Sequence, residues 1–270
     1  MTVTTRLVPG EAVVLDRAST ENFSVASLVL GRATRDHLLA IYGFARLVDQ
    51  LGDEVEGDRL AHLDWLEAEL DRSYDGEPEH SLMRRLAPTL RAFDLPREPF
   101  LRLIEANRRD QEQAVYRTFD ELLAYCDLSA NPVGELVLYV FGAATGARIA
   151  LSNQICTALQ LVEHWQDVAE DYGHGRIYIP AEDLEHFGVA AGEFAGDAYE
   201  RLMSFEIARA RALLDEGAPL VGTLRGRAQL AIAGYVGGGR AALDALAAGK
   251  SKAPKTPRAV ATLKTFLRGR

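Results

Sequence analysis

Apolar residues return every three or four positions along almost the whole chain, the period of helices that each bury one face. From Thr34 to Glu54, one stripe holds Leu38, Ile41, Tyr42, Ala45, Val48 and Gly52. Asp58 to Tyr74 sets Leu60, Leu63, Leu66 and Leu70 on a second stripe, ahead of a Tyr74-Asp75-Gly76 break. Ser81 to Phe93 and Pro96 to Val115 follow, with Pro96 near a helix start, where its missing N–H costs little. Phe119 to Gly146 is apolar on several faces and predicts one long central helix. Leu151 to Tyr172 ends at Gly173-His174-Gly175, and Glu193 to Gly217 and Pro219 to Ala248 complete the set. The longest loops are Asp75 to His80, Gly173 to Glu182 and Gly249 to Pro257. No run of alternating β-branched residues competes with this pattern, and no internal repeat stands out. The expectation is about eight helices in a single all-α domain over residues 1–249, with a basic tail at 250–270.

Composition narrows the class. Apolar residues make up 48% of the 270 positions and charged residues 26%, as in a globular protein with one sizeable core. The 30 Lys+Arg against 39 Asp+Glu leave a net charge of −9, which argues against general nucleic-acid binding. Cys126 and Cys156 fit a reducing compartment without a disulfide framework, and no His/Cys spacing resembles a zinc site. Met1 to Gly10 reads as no signal peptide. The most apolar stretch, Leu136 to Leu151, is too short and too interrupted by Gly142, Gly146 and Arg148 to span a bilayer. A cytoplasmic location is expected. The tail from Lys250 to Arg270 carries Lys and Arg without an acid, interspersed with Val260, Leu263, Phe266 and Leu267. Such a segment is either a solvated arm or a peripheral contact with anionic lipid at the inner face of a membrane.

Two acidic stripes carry the candidate chemistry. At about 100° per residue, Tyr42, Arg46, Asp49 and Asp53 fall within roughly a 60° arc close to the apolar face. Further on, Glu163, Asp167 and Asp171 repeat every four positions, with Gln160 one turn before them. Acids in that register repel one another, so a helix that keeps them beside Leu159, Val162 and Trp165 calls for cations. Clustered carboxylates are hard oxygen ligands suited to Mg²⁺, which bridges a few of them to phosphate oxygens. Two such helices facing each other would hold a diphosphate. Arg176, after Gly175, and Arg46 offer the planar donor fork that phosphate oxygens accept from, or else serve as salt-bridge partners. A di-iron bundle needs Glu-x-x-His twice, and the one such spacing, Glu77 to His80, lies in a Gly/Pro loop. His164 reads as a packing residue or a support for the acids beside it.

The order Tyr42-x-x-x-Arg46-x-x-Asp49-x-x-x-Asp53, Tyr125-Cys126, then Gln160…Asp167-x-x-x-Asp171…Arg176-x-Tyr178-x-Pro180 resembles the squalene/phytoene synthase family. The resemblance runs from about Glu21 to Leu184 and more loosely to Ala248. Three stretches, Glu21–Ser27, Ser129–Gly134 and His164–Val168, look most like the branch that turns presqualene diphosphate and water into hydroxysqualene and diphosphate. The resemblance implies a class I isoprenoid synthase helical bundle with a central cavity, with Mg²⁺ on Asp49 and Asp53 and on Asp167 and Asp171. It implies Glu163 as a further ligand, although the family commonly has Asn there, and Gln50 stands where an Asp is usual. It places Tyr42, Arg46, Tyr125, Asn131 and Arg176 in catalysis and Phe23, Ser27, Gln160 and Tyr178 at the substrate. The implied reaction uses no NADPH, and no Gly-x-Gly-x-x-Gly for a dinucleotide is present.

In such a reaction a carbocation forms in a dry cavity, where the faces of Phe23, Tyr42 and Tyr125 stabilise it or simply fill the core. Pro132, inside a helical run, frees a carbonyl beside Asn131, so the two are expected either to hold a capturing water or merely to satisfy the kink. Two other readings stay open. One is head-to-head condensation of prenyl diphosphates to presqualene diphosphate or phytoene. The other is a noncatalytic helical module that binds lipid or a partner, for which Gln50 and Glu163 speak.

Overall fold

A computed structural model of the chain describes residues 8–11, 14 and 30–250. Phe23, Ser27 and the tail beyond Lys250 lie outside the described residues. Among the described residues the fold is all-α, as the periodicity predicts. The described residues form two compact units, the first within 1–112 and 132–144, the second within 113–131 and 145–270.

In the first unit, α1 (Arg32–Asp49) runs without interruption into a π-helical turn, Gln50–Glu54. Helices α2 (Arg59–Asp75), α3 (Ser81–Phe93) and α4 (Glu98–Asp110) follow. Helix α1 packs on α3 and α4, and so does α2. The stripe Leu38, Ile41, Phe44, Leu47 and Val48 is almost completely buried, and Phe44 meets the edge of Phe100 on α4 at 5.0 Å. Each fully buried side chain of this size contributes about 1.5–3 kcal/mol. On α2, Leu63, Leu66 and Leu70 are buried, whereas Leu60 sits in the first turn and is 43% exposed. The Asp58 carboxylate caps that helix by accepting from Ala61 N–H at 3.0 Å, and Gly76 ends it at φ 94°, a conformation that favours glycine.

The expected helix over Pro96–Val115 stops at Asp110, and Val115 instead pairs with Ile177 in an isolated parallel bridge. The expected central helix over Phe119–Gly146 is two helices, α5 (Phe119–Ser129) and α6 (Asn131–Val140). Pro132 lies in the first turn of α6, where its lack of an N–H is harmless, so it starts a helix instead of kinking one.

The second unit is organised around α7 (Gly146–Gln166), with α8 (Val168–Gly173), α9 (Ala181–Phe187), α10 (Asp197–Gly217), α11 (Leu220–Thr223) and α12 (Gly226–Ala247). Helices α5, α10 and α12 pack on α7. Close approach is the reason for two glycines. A Cβ on Gly217 would lie 2.7 Å from the Leu151 carbonyl oxygen, and one on Gly239 would lie 2.7 Å from Leu159. The expected single helix over Leu151–Tyr172 breaks at Asp167, whose ψ of 14° leaves the helical range before α8 begins. The expected loop Gly173–Glu182 is shorter, because α9 already begins at Ala181. No helix among the described residues is long and apolar enough to cross a membrane.

Candidate functional site

The first acidic stripe is built at the end of α1. Asp49 is its last α-helical residue, and Asp53 sits in the π-turn closed by Val55 N–H donating to the Gln50 carbonyl at 3.0 Å. A π-turn widens the ring to i→i+5, so Asp53 departs from the arc that uniform α spacing assigns it. Both carboxylates are exposed, and Tyr42 and Arg46 are half-buried behind them. The Arg46 guanidinium pairs with Glu54, and Arg59 donates to the Asp53 carbonyl at 3.0 Å. Gln50 is turned inward and only 2% exposed, where a neutral amide costs less than an aspartate would.

The second stripe lies on α7 and α8. Glu163 and Asp167 are exposed, and Asp171 is half-buried, with its N–H donating to the Asp167 carbonyl at 2.8 Å. Burial, together with the neighbouring Asp167 charge, pushes the Asp171 carboxyl up to about 6, against the pull of Arg176. Gly175 takes φ 80°, which reverses the chain so that Arg176 N–H donates to the Asp171 carbonyl at 2.9 Å. Ile177 N–H then donates to the Ala114 carbonyl at 2.8 Å and Ala181 N–H to the Tyr116 carbonyl at 2.9 Å, which fixes Tyr178 between them.

Behind these groups stands an aromatic wall. Tyr178 stacks on His164 with centroids 3.7 Å apart and on Tyr116 at 5.7 Å, and Tyr125 closes the group at 5.8 Å from Tyr178. All four rings are buried. Burial, reinforced by Arg176, lowers the His164 imidazole to about 3, so it is neutral. Gln160 Nε2 lies 3.2 Å from His164 Nε2, which makes that nitrogen an acceptor and leaves the ring proton on Nδ1, 4.0 Å from the Asp171 carboxylate. His164, Asp171, Arg176 and Tyr178 together line a pocket whose other wall is Ala190–Phe194 and Tyr199.

The second unit brings Gln160, Asp167, Asp171, Arg176, Tyr178 and Tyr125 near one another. Tyr116 was not among the expected residues, since Val115 and its neighbours read as the end of a helix. Asn131 is buried, with Nδ2 donating to Asp127 at 3.2 Å and Oδ1 accepting from Thr157 Oγ1 at 3.1 Å. Both ends of its amide therefore bond to protein groups, and a capturing water would have to share them.

The donor set fits a hard divalent cation. Asp49 and Asp53 carry carboxylate oxygens in the first unit, and Asp167 and Asp171 do so in the second, where burial and the adjacent Asp167 charge raise Asp171. Among the described residues, no three His, Cys, Asp or Glu side chains converge to enclose a metal.

The squalene/phytoene synthase family model matches residues 16–265. The hydroxysqualene synthase of Rhodopseudomonas palustris is 34% identical over 213 residues, 76% of this chain and 72% of that enzyme. The phytoene synthase of Mycobacterium tuberculosis is 32% identical over 65% of this chain and 58% of that enzyme, less than two thirds of its length. Squalene synthase HpnC from Alicyclobacillus acidocaldarius superposes with a TM-score of 0.83 at 42% identity, covering 93% of this chain and 98% of that one. With the motif order in the sequence and the all-α fold, these matches show that the chain belongs to the squalene/phytoene synthase family.

Proposed function

We propose that the protein ionises presqualene diphosphate and captures water to give hydroxysqualene and diphosphate. The observation that carries this reading is the side-chain cluster in the second unit, where Asp171 and Arg176 stand beside Tyr178 and neutral His164. A diphosphate head and a cationic carbon skeleton ask for that combination of charge and aromatic surface. The nearness of the hydroxysqualene synthase of Rhodopseudomonas palustris supports the same branch.

Mg²⁺ bound by Asp49 and Asp53, and by Asp167 and Asp171, would supply positive charge to the leaving diphosphate. Arg176 donates to diphosphate oxygens as the ester C–O bond breaks and its electron pair moves to oxygen. The buried aromatic group of Tyr116, Tyr125 and Tyr178 forms an apolar wall that keeps bulk water from quenching the carbocation early. Water then adds through oxygen to the rearranged carbon and loses a proton to the released diphosphate, giving the alcohol without a hydride donor.

A second reading is head-to-head condensation of two prenyl diphosphates, favoured by the 32% identity to the Mycobacterium tuberculosis phytoene synthase. Product analysis separates the two. Purified protein and Mg²⁺ given presqualene diphosphate, without NADPH, should yield hydroxysqualene. Presqualene diphosphate or phytoene made from shorter prenyl diphosphates would establish the second reading instead. Asp53→Asn and Asp167→Asn should each stay folded and lose about 10²–10³ in turnover at saturating Mg²⁺, as when one electrostatic contact to a leaving group is removed. Near-normal turnover in both would remove the metal-site reading.

A further inference from the structure

We infer that Asn107 and Gln111, on and just beyond the last turn of α4, are positioning residues that hold the Asp49–Asp53 turn ready for a divalent cation. The inference rests on the reading above that this turn binds Mg²⁺.

The π-turn is the starting point. Such a turn is less favourable than a continued α-helix and is kept where something outside it holds it. Here the outside ties come from α4. Gln111 Nε2 donates to the Gly52 carbonyl, in the middle of the turn, and to the carbonyl of Asn107, both at 3.0 Å. Asn107 Nδ2 reaches Asp49 Oδ1 at 3.4 Å and the Leu103 carbonyl at 3.5 Å.

Gly52 shows how closely the two elements fit. It is not among the residues with positive φ, so its backbone does not require glycine. A Cβ at this position would lie 2.2 Å from Asn107 Oδ1 and 3.0 Å from Asn107 Cγ. Glycine is there to admit the carboxamide, and the carboxamide is 7% exposed, pressed between the turn and its own helix.

The chemistry of the contact explains the choice of an amide. The Asn107 amide is a neutral donor, so its contact helps orient the Asp49 carboxylate without adding charge, as groups behind metal ligands commonly do.

The test reads metal affinity separately from turnover. Full-length protein is titrated with Mn²⁺ in the presence of inorganic diphosphate, bound metal is followed by electron paramagnetic resonance, and thermal unfolding is recorded beside it. Asn107→Leu keeps the branched shape of the side chain and removes the donor. It should unfold at nearly the same temperature, bind Mn²⁺ about 10–100-fold more weakly, and recover turnover as Mg²⁺ is raised. Gly52→Ala should weaken Mn²⁺ in the same way, because the new methyl displaces the carboxamide. Gln111→Met, at a half-buried position, decides the matter if Asn107→Leu does not fold, and it should show a smaller loss of the same kind. Folded variants that bind Mn²⁺ as tightly as the unchanged chain overturn the inference while leaving the metal reading intact. An unchanged chain that takes up no Mn²⁺ with diphosphate and forms no product overturns both.

Discussion

The imidazole of His164 lies flat on the phenol of Tyr178, with ring centroids 3.7 Å apart and planes 16° from parallel. The stack holds a neutral, buried ring between Gln160 on one side and the Asp171 carboxylate on the other. Helix α7 thereby ties the second acidic stripe to the Arg176–Pro180 segment through one side chain.

His164→Phe tests that link. Phenylalanine preserves the stack and the burial but removes the acceptor for Gln160 and the N–H that faces Asp171. The variant should fold normally and lose about 10–100-fold in kcat/KM, measured at saturating Mg²⁺ with whichever prenyl diphosphate the unchanged chain turns over. Because burial keeps the ring at about 3, the unchanged enzyme should show no inflection from this histidine between about pH 5 and 8 in its rate profile.

Asn131 is tested through stability and product together. Its amide joins Asp127 of α5 to Thr157 of α7 where the chain leaves α5 for α6. Asn131→Leu leaves the Thr157 hydroxyl buried without its acceptor, at a cost of about 1–3 kcal/mol. In a chain of this length that lowers the thermal midpoint by about 2–4 °C per kcal/mol. If the amide serves the fold alone, the variant should form the same product as the unchanged chain, at a reduced yield of folded protein. Hydrocarbon or rearranged alcohols from the folded fraction would instead establish the water role.

The helices and the two acid stripes were legible because both are written in a period of about 3.6 residues, which survives in a single sequence. What the period does not carry is a local change of pitch. The π-turn at Gln50–Glu54 and the break at Asp167 each alter the backbone within an otherwise helical pattern, so Asp53 and Asp171 were assigned positions on ideal helices that they do not keep. The split of Phe119–Gly146 was signalled by Pro132, but a proline within an apolar run reads equally as a kink or as a helix start. Tyr116 and Asn107 act through partners far along the chain, Tyr178 and Asp49, and no spacing within one helix announces such contacts.

A buried acid cluster away from the acidic stripes sets the expected response to pH. Glu206 on α10 is 0% exposed, beside Asp183 of α9, and Arg209 reaches both: Asp183 at 2.8 Å and Glu206 at 3.4 Å. Arg209 also lies over the rings of Phe119 and Phe205, at 3.9 Å and 4.4 Å, so one guanidinium serves two acids. Burial above all raises the Glu206 carboxyl to about 8; Asp183 and Glu182 add to the rise, and Arg209 opposes it. A carboxyl raised in the folded state binds a proton that the unfolded chain has already released. Its contribution to stability is therefore complete below the ordinary glutamate value of 4.5 and declines as pH climbs towards about 8. Glu206→Gln keeps a neutral side chain of the same shape and cannot ionise. The variant should match the unchanged protein near the acid end and exceed it progressively towards about pH 8, so its midpoint-against-pH curve is the flatter of the two. Thermal unfolding of both proteins across that range measures the difference. Parallel curves would show that Glu206 stays ionised in the folded protein, held by Arg209.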